Sequence, residues 1–516
     1  MKFSQRTQRV LKYLTGRSGR TVPITFGSFA PDMPSLRNPG CLMAKNVIPR
    51  HASFAPLPDL SSQAGALNAY ARGAIAAKDS NGNTYFYAGD ATKLYEIRNA
   101  TVTDKSSAAY ALAADSYWEA TQFQDRLIFT DYDDAVQSIT VGAAGNFANL
   151  ITSAKIPKAR HCATVLNFLV LGNINDSAEG VKPGRVHWSA ENDPTDFDLS
   201  SATGCDLQDL DDGGWVQRII GGAEYGVIFQ ERVIRRMTPT TSDLIFEIVP
   251  VDRQRGTPIP RSVIAQGRIL PYISEEGFMV FDGVQSVPIG DGFVDRWFWD
   301  QFDPTYRHRV SAAIDFKNKL WVWGFPGTDS VSGAPNRILM CHYPSKRWAY
   351  GEVNHEMMVS AETQAYSLDT MDSVMPTIEV ASPSLDSEVW MGGFYRFGAF
   401  NTDHKLCFFT GDNLAAQIDS AEFELSPGNR SFIRSVRPMV EGTSVSPTIA
   451  LGSRLTQQQA ETYSSDVAIE TEGDCPMGEQ TQANDRYQRV RLKIPAASTW
   501  THTNGVLIEQ TKSSHV

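Results

Sequence analysis

The chain has 516 residues, too many for one ordinary hydrophobic core, so we expect about two to four structural units. Its 42% hydrophobic and 20% charged residues are typical of a globular protein, and its many aromatic, Gly and Pro residues favour strands and turns. A net charge of −11 argues against general nucleic-acid affinity. The longest apolar runs fall well short of the roughly 18 residues of a transmembrane helix, so no membrane-spanning segment is expected.

Residues 1–20 carry six basic and no acidic side chains. A basic segment punctuated by Gly and Ser is typical of a mobile arm that becomes ordered on an acidic or polymeric partner. A solvated tail is the alternative. The candidate docking residues of this N-terminal arm are Lys2, Arg6, Arg9 and Lys12.

Residues 21–60 contain seven prolines. Because proline lacks a backbone N–H and restricts the residue before it, this density predicts neither a helix nor a regular strand pair. We expect an extended strap that lies on other surfaces, anchored by the apolar residues between the prolines.

Residues 61–415 repeat a hairpin-like unit of two apolar runs joined by a turn. The units are Tyr85–Ile97, Arg126–Ile139, Phe168–Trp188, Tyr225–Thr238, Gly277–Gly290, Lys319–Gly351 and Glu388–Gly398. Their spacing of roughly 40–60 residues is that of propeller blades of four short strands. The sequence therefore predicts an all-β fold with a β-propeller of about 6–8 blades. Trp321 and Trp323 alternate in one unit, which places both on one sheet face, where they suit packing between blades.

In residues 416–516 the hairpin-like repeats give way to strands with alternating polar residues. This pattern predicts an additional C-terminal all-β domain that resembles a β-sandwich. Within it, Tyr487–Ile494 alternates Arg or Lys with Val, Leu and Ile, which predicts a half-buried strand.

The chain lacks the usual signatures of catalysis and metal binding. Its six cysteines are far apart and form no CxxC, which favours free thiols. His355-Glu356 begins like a zinc-protease motif, but Val359 stands where the second histidine is needed. There is no GxSxG elbow and no phosphate-binding P-loop. We predict no catalytic, cofactor-binding or metal-ligating residues and no enzymatic activity.

The segment Glu191–Asp212 holds eight carboxylates and no Lys or Arg. It reads as an exposed acidic loop, although a calcium site or a functional negative surface stay open as alternatives. The candidate residues of this acidic segment are Asp193, Asp196, Asp198, Asp206, Asp209, Asp211 and Asp212.

Three stretches together resemble one family of phage proteins. The first is Phe29–Leu60, with Pro-Asp, then Asn-Pro-Gly, then AKNVIP; the second is RVHWSAENDPTDFD at Arg185–Asp198. The third, within Tyr225–Trp299, includes RQRGTPIPRSV, ISEEGFMVFDG and PIGDGFVDRWFW. In this order they resemble the tail-nozzle proteins of short-tailed phages, also called tail tubular protein B or tail hub proteins.

The resemblance implies a structural virion protein. Six copies would form a ring below the head–tail adaptor, extend the DNA-ejection channel and carry tail fibres or tip proteins. DNA would pass through without specific binding, and acidic loops facing the channel would repel it. The protein would be made in the host cytoplasm and reside in the virion tail.

The resemblance also singles out residues expected to be structural. They are Asp32, Pro34, Asn38, Pro39, Gly40, Asn46, Pro49, Trp188, Gly256, Gly277, Phe281, Asp282 and Gly283. The main alternative is a propeller-fold tail protein that binds or degrades glycans. A cellular interaction module and another phage structural part are further alternatives.

Overall fold

The computed structural model describes residues 20–98, 100–150, 157–240, 245–362, 395–477 and 484–512. Within these residues, six antiparallel sheets and the antiparallel end of a larger sheet form the seven blades of a β-propeller, numbered here in chain order. The predicted all-β propeller fold is therefore confirmed. Among the same residues, no helix is long and apolar enough to cross a lipid bilayer.

The first four blades have four strands each. Blade 1 contains Gly73–Lys78, Thr84–Gly89, Leu94–Arg98 and Thr101–Asp104. Blade 2 contains Glu119–Phe123, Arg126–Thr130, Gln137–Thr140 and Ala148–Asn149. Blade 3 contains Lys158–Val165, Phe168–Asp176, Gly180–Trp188 and Asp206–Asp209. Blade 4 contains Val216–Ile220, Gly226–Gln230, Ile234–Pro239 and Phe246–Asp252.

The last three blades complete the circle. Blade 5 contains Leu270–Ser274, Gly277–Phe281 and Ser286–Pro288, preceded by a 3-10 turn at Pro260–Ser262. Helix α1 (Asp295–Gln301) and a 3-10 segment (Pro304–Arg309) lead to blade 6, which contains Ser311–Asp315, Leu320–Phe325, Arg337–His342 and Arg347–Glu352. Blade 7 contains Met357–Glu362, Tyr395–Phe400, Lys405–Asn413 and, from the N-terminal region, Pro58–Ala66.

The first strand of each blade lies at the propeller axis. The inner strands of blades 6, 7, 1, 2, 3 and 4 contact one another in that order around the axis, so the inner strand of blade 7 contacts that of blade 1. The 3-10 turn Pro260–Ser262 contacts the inner strands of blades 4, 5 and 6. Since the inner strands all begin at the same end of the axis, residues just before and at their starts converge there.

The ring is closed by the N-terminal region. The closing strand Pro58–Ala66 pairs antiparallel with Lys405–Asn413, with Ser61 opposite Phe408. This strand is the outermost of blade 7, and it spans the boundary at residue 60 between the predicted strap and the predicted repeats.

The strap is more regular than its prolines indicate. It contains the strands Arg20–Thr25, Cys41–Lys45, Val47–Pro49 and Phe54–Pro56. The expectation of no strand pair is wrong, because the last two form an antiparallel hairpin. Pro49 and Pro56 stand at strand ends, and Pro23 lies in an edge strand, positions where a missing N–H removes no needed ladder bond.

The C-terminal region forms a β-sandwich together with the strap. One sheet contains Val47–Pro49, Phe54–Pro56, Thr499–Lys512, Ser431–Ser444 and Cys475–Pro476, with Arg20–Thr25 and Asn484–Asp485 paired at its sides. The other contains Cys41–Lys45, Ala416–Ser420, Tyr487–Ile494 and Thr448–Arg454, with Thr462–Tyr463 and Val467–Ala468 at its edge. Buried residues of both sheets share one hydrophobic cluster.

The sandwich and the propeller are continuous through one sheet. Lys45 in the strap pairs in parallel with Tyr350 in the outer strand of blade 6. In the next part of this sheet, Tyr487–Ile494 alternates half-buried with buried residues, which confirms its predicted half-buried character. The two units therefore pack as one body around the strap.

Aromatic side chains fill the space between blades 5 and 6. Trp321 and Trp323 are both buried, and their indole N–H groups donate to Gln266 and to the Ser262 carbonyl at 2.7 and 2.9 Å. Phe278 of blade 5 packs edge-on against Trp323 at 4.8 Å between ring centroids. The predicted common face of the two tryptophans, turned toward a neighbouring blade, is confirmed.

Candidate functional site at the propeller axis

The predicted acidic segment lies at the outer edge of blade 3. Asp206 and Asp209 begin and end the outermost strand, which pairs with Gly180–Trp188. Asp211 and Asp212 follow in the exposed link to blade 4. This places the segment far from the inner strands within its own sheet, on the rim of the propeller.

Two of these carboxylates are in ion pairs. Arg185 Nε and Nη2 donate to the two oxygens of Asp209 at 2.6 and 2.9 Å. The Arg185 guanidinium holds the pKa of Asp209 below its ordinary value. Arg235 pairs with Asp212. Their charge is therefore partly neutralised.

The acids near the start of the segment stabilise a turn. Asp193 Oδ1 accepts hydrogen bonds from Thr195 N and Oγ1 at 2.9 and 2.6 Å, and Asp196 Oδ1 accepts one from Asp198 N at 2.9 Å. In the described parts of the chain, no group of three or more His, Cys, Asp or Glu side chains is arranged to hold a metal ion.

The strap residues of the family-like motif connect distant parts of the chain. Asp32 Oδ2 and Oδ1 accept hydrogen bonds from the N–H groups of Arg296 and Trp297 at 2.8 and 2.9 Å. Asn38 accepts from Gly40 N at 2.7 Å and so shapes the loop that also holds Pro34 and Pro39. Asp32 therefore connects the strap to helix α1.

Asn46 connects the strap to two further segments. Its φ of 56° is left-handed, its Nδ2 donates to the Ala415 carbonyl at 2.9 Å, and its Oδ1 accepts from Glu352 N at 2.8 Å. Pro49 ends the strand that begins next to it. Asn46 thus fastens the strap to blade 6 and to the start of the sandwich.

The remaining motif residues shape blades 3, 4 and 5. Buried Trp188 donates to the Gly204 carbonyl at 3.0 Å, and Gly256 lies in the link between blades 4 and 5. Gly277 has a φ of 130°, and a Cβ there would lie 2.2 Å from Asp295 Cγ, so no larger residue fits. Phe281 is buried, and the turn after it has Asp282 as acceptor and Gly283 at a φ of 97°.

The arm residues Lys2, Arg6, Arg9 and Lys12 lie outside the described residues.

The axis holds a site that none of these predictions identified. Two adjoining cavities of about 310 and 100 Å³, which share Tyr117 and His308, open where the inner strands begin. Their lining includes one carboxylate, Asp115, and five arginines: Arg72, Arg160, Arg261, Arg307 and Arg309. In a chain with a net charge of −11, this is a concentrated positive region.

The arginines of this axial cavity come from different blades. Arg72 directly precedes the inner strand of blade 1, Arg160 lies near the start of that of blade 3, and Arg309 precedes that of blade 6. Arg261 lies in the 3-10 turn before blade 5. Each blade begins at the same end of the axis, so arginines near the starts of different blades converge there.

Below the cavity, a buried network links three consecutive inner strands. Glu119 of blade 2 contacts His161 Nδ1 of blade 3 and Arg218 Nη1 of blade 4, both at 2.8 Å. Burial lowers the pKa of His161, so the imidazole is held neutral. Both oxygens of Glu119 are therefore engaged within this network.

The cations of the cavity act on one another. Burial, followed by the charge of Arg309, lowers the pKa of Arg72 and of His308. Arg309 lies over the ring of Tyr70 at 5.1 Å, and Arg261 lies over that of Tyr117 at 5.2 Å. Aromatic faces thus hold guanidinium groups that have few carboxylates near them.

Sequence reasoning missed this site because the arginines are scattered along the chain, and only Arg307 and Arg309 lie near each other in sequence. The signal that could have found it is positional: an arginine recurs at or just before the inner strands of several blades. That signal is visible only when the inner strands are known.

No family model and no curated protein matches the chain. Similar solved structures include the extracellular domain of the hybrid two-component system BT4673 from B. thetaiotaomicron, at TM-score 0.37 and 11% identity. That match covers 83% of this chain and 49% of the other, so the chain spans about half of its length. The Neurospora crassa Pan2 WD40 domain has TM-score 0.36 and 7% identity, over 60% of this chain and 91% of that one. YCF48 bound to D1 peptide has TM-score 0.35 and 11% identity, over 59% of this chain and 91% of that one. Similarities this weak say nothing about function.

Proposed function

We propose that this chain is a structural virion protein, a tail nozzle of the short-tailed phage type. Six copies form a ring below the head–tail adaptor, extend the DNA-ejection channel and support tail fibres or tip proteins. The proposal rests first on the three family-like stretches, which occur in order over residues 29–299.

The observation that carries the proposal is the role of the strap. Its motif residues Asp32 and Asn46 bond to helix α1, to blade 6 and to the start of the sandwich. Residues singled out by the resemblance thus make contacts that stiffen the whole chain, as a component that withstands DNA passage requires. Such contacts are expected of a structural part.

The charge of the chain also suits a conduit. Each phosphate neutralised by Lys or Arg adds salt-dependent affinity for DNA, so a channel that releases DNA quickly is better lined with acids. A ring of chains that each carry −11 meets this condition if the exposed acids Asp206 and Asp211 on the rim of blade 3 face the channel.

Negative-stain imaging of the purified chain, alone and mixed with its phage's head–tail adaptor, tests the proposal. A six-fold ring with a central channel in either sample is the expected result. A persistent 56.9 kDa monomer that ignores the adaptor would contradict it. A chain lacking residues 2–19 is a useful companion, because the first strap strand begins at Arg20 and stays intact. Normal assembly of that shortened chain would exclude a docking role for the arm.

A further inference from the structure

We propose that the axial cavity of the propeller binds a phosphate group. The five lining arginines approach one space from blades 1, 3, 5 and 6 or the segments before them. Within the described residues, none of the five forms an ion pair with a carboxylate. Arg72 and Arg309 instead donate to backbone carbonyls, of Ser116 at 3.3 Å and Ser332 at 2.7 Å. This inference is independent of the ring proposed above.

The second line of support is a set of buried donors without partners. Tyr117 is only 5% exposed, lines both cavities, and its hydroxyl has no hydrogen-bond partner. Arg160 Nε, in the wall of the larger cavity, is likewise buried without a partner. Buried polar groups in folded proteins are normally hydrogen-bonded, so each such group calls for an explanation. A bound anion would satisfy both donors.

The number and directions of the donors favour phosphate over carboxylate. A carboxylate has two oxygens in one plane and suits a single guanidinium fork. Donors that converge from several blades need an acceptor with oxygens in several directions, which a tetrahedral phosphate supplies. Guanidinium groups bind phosphate in a bidentate way, and the charge-assisted bonds are about twice as strong as neutral ones.

The rim of the cavity leaves room for more than a free ion. Trp215 lines the larger cavity and is 53% exposed, beside Pro258 and Pro260. An exposed indole next to a phosphate pocket offers a stacking surface for a planar ring. The phosphate group therefore has two sources, inorganic phosphate or a small phosphorylated compound with a ring, such as a nucleoside monophosphate.

Titration calorimetry of the full chain with inorganic phosphate, AMP and acetate at equal ionic strength tests the proposal. We expect saturable binding of phosphate and of AMP, and none of acetate at the same concentrations. Tighter binding of AMP than of phosphate identifies the phosphorylated compound as the source, and equal binding identifies the free ion. Equal binding of acetate and phosphate, or no saturable binding of either phosphate ligand, would overturn the proposal.

The Tyr117→Phe variant separates binding from folding. Because the Tyr117 hydroxyl has no partner in the free protein, its removal should leave the melting temperature unchanged or slightly higher. Phosphate affinity should fall by about tenfold, the value of one hydrogen bond to a charged group. Tyr110→Phe is the matched control, since that hydroxyl donates to Gln137 at 3.2 Å and does not line the cavities. It should lower the melting temperature and leave affinity intact. Identical phosphate affinity of Tyr117→Phe and the unaltered chain would contradict the site.

Discussion

Asp32 accepts a hydrogen bond from the N–H of Trp297, a residue 265 positions later in the chain, at 2.9 Å. Helix α1 has no side-chain cap of its own, because its N-cap residue is Val294. Its first N–H groups are instead satisfied by a carboxylate of the strap. The strap motif around residue 32 thus supplies the cap for the helix that begins near residue 296.

Replacement of this cap should destabilise the protein. Asp32→Ala removes both acceptors and should lower the free energy of unfolding by about 1 kcal/mol, as N-cap losses do. Asp32→Asn keeps one acceptor oxygen and should cost less. Urea unfolding of both variants measures the difference, and hydrogen exchange at Arg296 and Trp297 locates it. Equal stability of Asp32→Ala and the unaltered chain would show that the cap is unimportant.

Asn46→Ala should be more damaging. It leaves the Glu352 N–H and the Ala415 carbonyl without partners and places alanine at a φ of 56°. Both hydrogen bonds are only partly buried, so each lost partner should cost toward the low end of about 1–3 kcal/mol, and we expect a total loss of about 2 kcal/mol. Asn46→Gly is the control, because glycine accepts the backbone angle and loses only the hydrogen bonds. If both variants unfold at the same urea concentration as the unaltered chain, the hydrogen bonds of Asn46 do not stabilise the protein.

Asp131 predicts a pH dependence of stability. It is buried, and this burial raises the pKa of its carboxyl from 3.8 to about 7. The fold therefore favours the protonated form of Asp131. Its contribution to the free energy of unfolding is fully present below about pH 4 and is lost as the pH rises to about 7. At pH 8, Asp131→Asn should be more stable than the unaltered chain by up to about 3–4 kcal/mol.

The measurement is a pair of urea titrations of both proteins at pH 4 and pH 8. The difference between Asp131→Asn and the unaltered chain should be small at pH 4 and large at pH 8. Comparison within each pH removes the contributions of the other titrating groups. A difference that does not change with pH would mean that Asp131 ionises normally in the fold.

The conduit proposal predicts an effect of charge reversal on the rim of blade 3. Asp206 and Asp211 are exposed, and their replacement by Lys together should slow DNA ejection if this rim faces the channel. Ejection kinetics of reconstituted virions at low and high salt measure the effect, which should shrink as salt increases. Asp403→Lys together with Asp412→Lys, at two exposed positions of blade 7, is a charge-matched control. Unchanged kinetics with the blade 3 variant would exclude an electrostatic role for this rim.

The sequence predicted the middle strands of the blades well. Tyr85–Ile97 and Arg126–Ile139 both cover the second and third strands of their blades, because these strands are buried on both faces and read as apolar runs. The inner strands were missed. Gly73–Lys78 and Ser311–Asp315 are rich in Ala and Ser, since little room is left near the axis, and small residues give weak strand signals.

Pairings over long sequence distances were also beyond prediction. Nothing in Pro58–Ala66 indicates that its partner is Lys405–Asn413. The strand lies at the edge of its sheet, pairs with this one strand, and has a mostly polar sequence without a clear apolar pattern. The prolines of the strap misled for a related reason. A proline destabilises a strand little when it lies at the strand's end or in an edge strand, and the local sequence does not show where such positions are.

The closing strand has a consequence for the order in which the chain can fold on the ribosome. Pro58–Ala66 is synthesised early, but its partner strand follows more than 300 residues later, and Arg20–Thr25 must wait for Thr499–Lys512 at the other end of the chain. The nascent N-terminal segment therefore stays unpaired for most of translation, during which a chaperone or the growing blades must shield it. A chain cut short after blade 6 would lose the ring closure as well as the sandwich. Premature termination should therefore yield an aggregation-prone product.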